Sequence, residues 1–114
     1  MRRNGRIQQA NRLVNRVVKR LRARYRPERI VLFGSYASGR QTEDSDLDLL
    51  IIKKTRRRFF QRLYDVRVAV EPTLAGHPFD PIVLTPAEVE KRLAQGDQFL
   101  QSILDKGRQV YAQG

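Results

Sequence analysis

The chain contains no cysteine, which excludes disulfides and thiolate metal sites. Its single histidine, His77, excludes a multi-histidine metal centre. Any bound metal would sit on carboxylates, a donor set that favours Mg2+ or Mn2+. Long apolar runs are also missing. Runs such as Leu49-Leu50-Ile51-Ile52 fall far short of the roughly 20 residues a membrane span needs. The basic N-terminus lacks the apolar stretch of a secretory signal, so neither a membrane nor an export route is expected and a cytoplasmic location is. Acidic residues are scarce at the N-terminus in particular. Residues 1–29 hold eleven Arg and Lys against one acid, Glu28, whereas residues 30–114 hold twelve basic and eleven acidic residues. The net charge of +11 therefore sits almost entirely in the first segment. Such a segment is either a solvated helix face or a surface for nucleic acid or an acidic partner. A length of 114 residues, with no internal repeat or low-complexity tract, is that of a single domain, 1–114, with a modest core.

What is present is a regular alternation of elements. Ile7, Ala10, Val14, Val17, Val18, Leu21 and Tyr25 recur at helical spacing, with Arg12, Arg16 and Lys19 opposite, which predicts an amphipathic helix over about 7–25, ended by Pro27. Arg29 to Phe33 is a continuous β-prone run and reads as a buried strand. Gly34-Ser35 is the turn after it, Tyr36 to Gly39 a first helical turn, and Arg40 to Ser45 a polar loop. Asp46 to Ile52 is a second strand, apolar on both faces beyond Asp48 and so central in its sheet. Lys53 to Arg58 is a basic connection. Phe59, Leu63, Val66 and Val70 fit a helix, although Val66, Val68 and Val70 also fit a strand, and Pro72 to Pro78 reads as a loop. Phe79 to Leu84 is a third strand, where Pro81 implies an edge position or a bulge. Thr85-Pro86-Ala87-Glu88 carries a capping box and a first-turn proline, so a helix starts there and breaks at Gly96. Asp97 caps another helix that Gly107 ends, and Gln109 to Tyr111 forms a short last strand. The aromatics Phe59, Phe60, Phe79 and Phe99 are expected in the core, His77 in a loop, and Arg56-Arg57-Arg58 on a solvated helix start or, alternatively, in contact with a partner or polyanion. Tyr36 either covers the turn or stacks on a base.

The residues with chemistry lie between the first two strands. Asp46 and Asp48, at i and i+2, put both carboxylates on one face of the second strand, while Leu47 and Leu49 face the core. Two divalent metals about 3.5–4 Å apart, which stabilise attacking and leaving oxygens together, need a third carboxylate from a neighbouring strand about 4.8 Å away. Asp80 is placed for this, with Glu71 and Asp65 as further acids on the adjoining helix. Gly34 lets the backbone approach phosphates, and Ser35 presents a hydroxyl and an N–H at a helix start. Arg40 is the nearest basic side chain for a leaving pyrophosphate. The chemistry that fits is nucleotidyl transfer.

Gly34-Ser35-Tyr36-Ala37-Ser38-Gly39 with Ser45-Asp46-Leu47-Asp48-Leu49 resembles the G-S-x-A-x-G…S-D-x-D-L signature of the DNA polymerase beta-like nucleotidyltransferase superfamily. Size and C-terminal pattern resemble its minimal nucleotidyltransferases, the MNT proteins, over about residues 10–112. The resemblance implies an α/β (α+β) fold, a small mixed β-sheet with helices packed on one side. It also implies Mg2+-dependent transfer of a nucleotide, commonly AMP from ATP, to a hydroxyl. By that likeness Asp46, Asp48 and Asp80 would be the catalytic metal ligands, Asp80 also a base for the acceptor. Gly34, Ser35, Arg40 and Ser45 would bind the nucleotide. Many such proteins pair with a HEPN-domain RNase toxin and act as its antitoxin, some by adenylylating it. A length of 114 residues is not expected to include a substrate-binding domain, so the acceptor is expected on a partner protein, a second subunit or in an open cleft. A non-catalytic antitoxin of the same fold, and transfer to RNA or a small molecule, are the alternatives. Many relatives carry arginine where this chain has Ser38, and Pro81 follows Asp80 directly.

Overall fold

The computed structural model describes residues 2–114, with side chains from residue 8 onward, so the side chain of Ile7 lies outside the described residues. Helix α1 (Arg2–Arg24) leads into β1 (Arg29–Phe33), a single turn α2 (Ser35–Ser38) and β2 (Leu47–Ile52). Helix α3 (Phe59–Leu74), β3 (Phe79–Leu84), α4 (Pro86–Ala94), α5 (Gln98–Lys106) and β4 (Arg108–Ala112) complete the chain. The sheet order is β3-β2-β1-β4, with β2 and β3 parallel and the other two pairs antiparallel. This is the small mixed sheet expected.

Its cover is more extensive than expected. Leu47, Leu49 and Ile51 of β2 face one core with Ile30 and Leu32 of β1, the apolar stripe of α1 from Leu13 to Leu21, Tyr25 just after it, and Val66, Val70 and Leu74 of α3. Leu50 and Ile52 face a second core with Val31, Leu84, Val89 of α4, and Leu100 and Ile103 of α5. Helices thus lie on both faces of the sheet, not on one. The reason is β2 itself: from Leu49 onward every residue is buried, so an uncovered face would leave large aliphatic side chains in water.

Two other expectations change. Helix α3 runs past Pro72 to Leu74 instead of giving way to a loop, and of the two readings open for Val66 and Val70 the helix is the one found. Proline removes one helical N–H, but only in the last turn, where Thr73 Oγ1 donates to the Val70 carbonyl at 2.6 Å and Leu74 is anchored in the core. Of the four aromatics assigned to the core, Phe79 is buried while Phe59, Phe60 and Phe99 are exposed. Pro81 takes the edge position, without a bulge against β2. Leu47 N donates to Pro78 O at 2.9 Å and Lys53 N to Leu84 O at 3.0 Å, so the even-numbered carbonyls of β3 face β2 and the N–H missing at Pro81 belongs to the outer side.

Arg62 is a buried charge that the pattern of apolar residues did not reveal. It is 7 % exposed, donating to the Arg57 carbonyl at 2.7 Å and to Glu88 Oε1 at 2.6 Å. Glu88 also bonds the Thr85 amide at 2.8 Å, closing the expected capping box of α4. The Arg62 hydrogen bond, followed by that of the Thr85 amide, holds the Glu88 carboxyl below its ordinary value against its partial burial. That stabilisation is present above the ordinary carboxylate pKa and is lost as pH falls through the lowered one. Arg62→Ala is expected to cost about 2–4 kcal/mol in urea unfolding, because it leaves buried carbonyls and a carboxylate without their donor.

Candidate active site

Antiparallel pairing sets Phe33, the last residue of β1, opposite Asp48, and parallel pairing sets Asp48 opposite Asp80. Alternation along the strands then decides direction. Since Leu50, Ile52 and Leu84 enter the core under α4 and α5, Asp48 and Asp80 lie on that same face, beyond the end of the packed region. Asp46, two residues before Asp48, joins them, and one carboxylate oxygen from each of Asp46, Asp48 and Asp80 falls within 4.8 Å of the others.

Three carboxylates this close repel one another. Partial burial first, then the neighbouring Asp80 and Asp46 charges and a hydrogen bond to Asp80, together raise the Asp48 pKa to about 6. Asp46 and Asp80 are exposed and Asp48 is half-buried, so the cluster is open to solvent on one side. Hard oxygen donors with excess negative charge and an open side fit Mg2+ or Mn2+. Glu71 stands on the rim, while Asp65 is held away by Arg57 through bonds of 2.9 and 3.0 Å.

Gly34 brings the backbone onto this cluster. Its φ of 72° and ψ of −153° belong to a region only glycine occupies freely, and a Cβ there would collide with Asp48 Oδ2 and come within 3.1 Å of its Cγ. Ala37 and Ser38 N–H groups donate to the Gly34 carbonyl at 3.1 and 3.2 Å, which closes α2. The N–H groups of Ser35 and Tyr36, at the start of that turn, have no acceptor within it. Arg40 is exposed just past α2, where its N–H donates to Ser35 O at 3.0 Å. Ser45 Oγ accepts the Thr42 N–H at 2.8 Å, so the hydroxyl closes the loop that delivers Asp46.

Hollows flank the cluster on both sides. On the Gly34 side, a cavity of about 260 Å³ is lined by Phe33, Ser38, Phe99, Ser102 and Lys106. Phe33 and Phe99 meet edge to face at 6.1 Å, and Phe99 is 62 % exposed. On the Asp80 side, a wider hollow of about 630 Å³ is lined by Asp46, Arg67, Glu71, His77, Phe79 and Asp80. Arg67 is held there by a 3.0 Å bond to the Phe79 carbonyl. His77 ties the two sides together: its Nε2 lies 2.8 Å from the Tyr36 hydroxyl, with the rings edge to face at 5.7 Å. Tyr36 therefore packs the turn in place, and burial raises its pKa. Lys106, Arg67 and Phe99 were missed by sequence reading. None belongs to a motif, and each reaches the site by the packing of its helix.

A mixed sheet with a glycine-serine turn set against three clustered carboxylates defines the nucleotidyl-transfer class. Residues 14–110 match the nucleotidyltransferase domain family, and the chain belongs to that family. Two proteins of Methanocaldococcus jannaschii, each provisionally named a protein adenylyltransferase, are 52 % identical over 33 residues and 46 % identical over 41 residues. Those stretches cover 29 % and 34 % of this chain, and span 33 % and 41 % of the relatives' own lengths. A crystal structure provisionally assigned as a nucleotidyltransferase of Sulfolobus solfataricus superposes with a TM-score of 0.66 at 20 % identity, covering 99 % of this chain and 89 % of that one. A toxin-antitoxin crystal structure with AMP-PNP superposes at 0.61 and 22 % identity, covering 87 % and 73 % of the two chains. At these identities the structural likenesses establish the fold alone. Among the described residues no helix is long and apolar enough to cross a membrane.

Proposed function

We propose that this chain transfers AMP from ATP to a hydroxyl of a partner protein, and that the partner is a HEPN-domain toxin it neutralises. The observation that carries the reaction is the convergence of Asp46, Asp48 and Asp80 within 4.8 Å, directly against the Gly34 turn. The provisional names of the Methanocaldococcus relatives and the toxin-antitoxin neighbour support the choice of acceptor.

Asp46, Asp48 and Asp80 would hold Mg2+ or Mn2+, which when bound supplies charge neutralisation for the phosphates. The remaining work falls to the protein. The Ser35 and Tyr36 N–H groups and the Ser35 hydroxyl meet the triphosphate. Lys106, beside Ser38 in the same cavity, supplies a cation where many relatives carry arginine, and Arg40 reaches the leaving pyrophosphate. The base rests on the exposed face of Phe99. The acceptor enters from the Asp80 side, where Asp80 takes the hydroxyl proton. The hydroxyl oxygen bonds to the α-phosphorus, the bond to the bridging oxygen of the β-phosphate breaks, and pyrophosphate leaves. Positioning and charge stabilisation account for the rate, since little covalent chemistry falls to the protein.

The test is transfer of label from α-labelled ATP to a neighbour-encoded HEPN protein in the presence of Mg2+ or Mn2+. Label should appear on the partner with wild type and not with Asp46→Ala. No transfer, together with unimpaired neutralisation by Asp46→Ala, overturns the enzymatic reading in favour of contact inhibition. Phe99→Ala is expected to raise the KM for ATP about tenfold with little change in kcat, as stacking on an aromatic face contributes about 1–3 kcal/mol per base. Initial-rate kinetics over a range of ATP concentrations check it.

A further inference from the structure

Among the described residues, four of the five exposed large apolar side chains stand on one helix, α3. Phe60 is 80 % exposed, Tyr64 68 % and Val68 56 %. With Pro72 they succeed one another at four-residue spacing, a row about 18 Å long on the outer side of the helix. A second row runs beside it on α1, where Arg12, Arg16, Arg20 and Arg24 are also spaced by four. Arg20 Nε donates to the Ala69 carbonyl at 3.0 Å, next in sequence to Val68, which ties the arginine row to the apolar one. Arg56 and Arg58 are exposed before the first turn of α3. Tyr64, Val68 and Pro72 form an open hollow with Arg67 and Glu71, and those two residues also line the hollow that holds Asp46 and Asp80. The apolar row is therefore continuous with the acceptor side of the site.

We propose that this face docks an acidic protein partner through an amphipathic helix. Apolar side chains of the partner at four-residue spacing lie along Phe60, Tyr64, Val68 and Pro72, and carboxylates on its flank meet the row Arg12, Arg16, Arg20 and Arg24. Charge selects this occupant. A second copy would bring two arginine rows together, on a chain of net charge +11. A nucleic acid would pair with the arginines and leave Val68 and Pro72, which offer no π face, unmatched. A partner seated here reaches Asp80 across the Arg67–Glu71 rim, which is where an acceptor hydroxyl is required. Docking stands apart from the transfer reaction; its use to deliver the acceptor rests on the function proposed above.

The experiment uses the full chain and a fluorescein-labelled synthetic helical peptide carrying leucines at i, i+4 and i+8 flanked by glutamates. Anisotropy should show saturable binding that weakens with salt. Tyr64→Ser and Arg16→Glu should each weaken it about tenfold or more, with melting curves like wild type because both side chains are exposed. Asp48→Asn should bind the peptide as wild type does. Binding unaffected by Tyr64→Ser and Phe60→Ser overturns the proposal, as does equal binding of a peptide with lysines for glutamates. A single-stranded RNA 12-mer that binds more tightly than the peptide and loses affinity in Tyr64→Ser assigns the face to RNA instead. A wild-type dimer in sedimentation that Tyr64→Ser dissociates assigns it to a second copy. If ATP label transfer fails while the peptide results hold, the transfer reading falls and the docking surface stands; the converse result separates them the other way.

Discussion

Asp48→Asn is expected to lower nucleotidyl transfer by about 1,000-fold or more while raising the melting temperature of the metal-free protein at pH 7.5. The two effects have one cause. Asp48 is the most buried of three carboxylates that converge within 4.8 Å, and in the absence of a counter-charge its pKa is pushed up to about 6. The folded state therefore binds the proton more tightly than the unfolded chain between about pH 4 and pH 6. Stability falls as pH rises through that window and stays low above it. Solvent reaches the site, so the penalty at pH 7.5 is about 1–2 kcal/mol after screening, or a few degrees in melting temperature. Asparagine removes the charge and can donate to Asp80. The gain should nearly vanish at pH 4.5, where wild-type Asp48 is itself protonated. Millimolar Mn2+ should reverse the ranking at pH 7.5, stabilising wild type and leaving Asp48→Asn unmoved. Thermal melts at the two pH values, with and without Mn2+, measure all four quantities. A variant no more stable than wild type at pH 7.5 would show that burial and the neighbouring carboxylates do not disfavour the Asp48 charge as the geometry requires.

The strands and caps were legible because local chemistry dictates them. The run from Arg29 to Phe33, the Thr85–Glu88 capping box and the Asp97 cap each announce an element, and each lies where it was read. The three carboxylates were legible for a different reason: i, i+2 spacing fixes a face, and Asp80 follows Phe79 at the start of the next apolar run. What pairing added was register, since Asp48 lies opposite Asp80 only because β2 and β3 run parallel from Leu47 and Phe79. Readings failed where tertiary packing outweighed local signals. Pro72 looked like a helix end, but Leu74 had a core to enter. Phe59, Phe60 and Phe99 looked like core, because hydrophobicity does not say whether a face is covered by the chain itself or left outside. The burial of β2 on both faces already required helices on each side of the sheet. Arg67 and Lys106 carried no sequence signal, because a single basic residue on a helix gains meaning only when that helix is docked beside the site.

Gly34→Ala should be the costliest single-atom change near the site. The backbone at φ 72° and ψ −153° is strained for any L side chain, by about 1–3 kcal/mol, before any neighbour is considered. The added methyl would then overlap the Asp48 carboxylate, which cannot withdraw without giving up its place beside Asp46 and Asp80. The total expected loss is about 3–4 kcal/mol, with transfer abolished, because relief of the overlap comes from displacing either the turn or the carboxylate. A double-mutant cycle separates the two contributions. In an Asp48→Ala background the carboxylate is gone, and Gly34→Ala should then cost only its backbone share, a coupling of about 1–2 kcal/mol in urea unfolding. Additive losses would mean that turn and carboxylate do not press on each other. A coupling of the expected size, in turn, gives the turn its reason to be glycine: it is the one residue that lets a backbone carrying free N–H groups lie against the carboxylate cluster, the juxtaposition on which the proposed transfer rests.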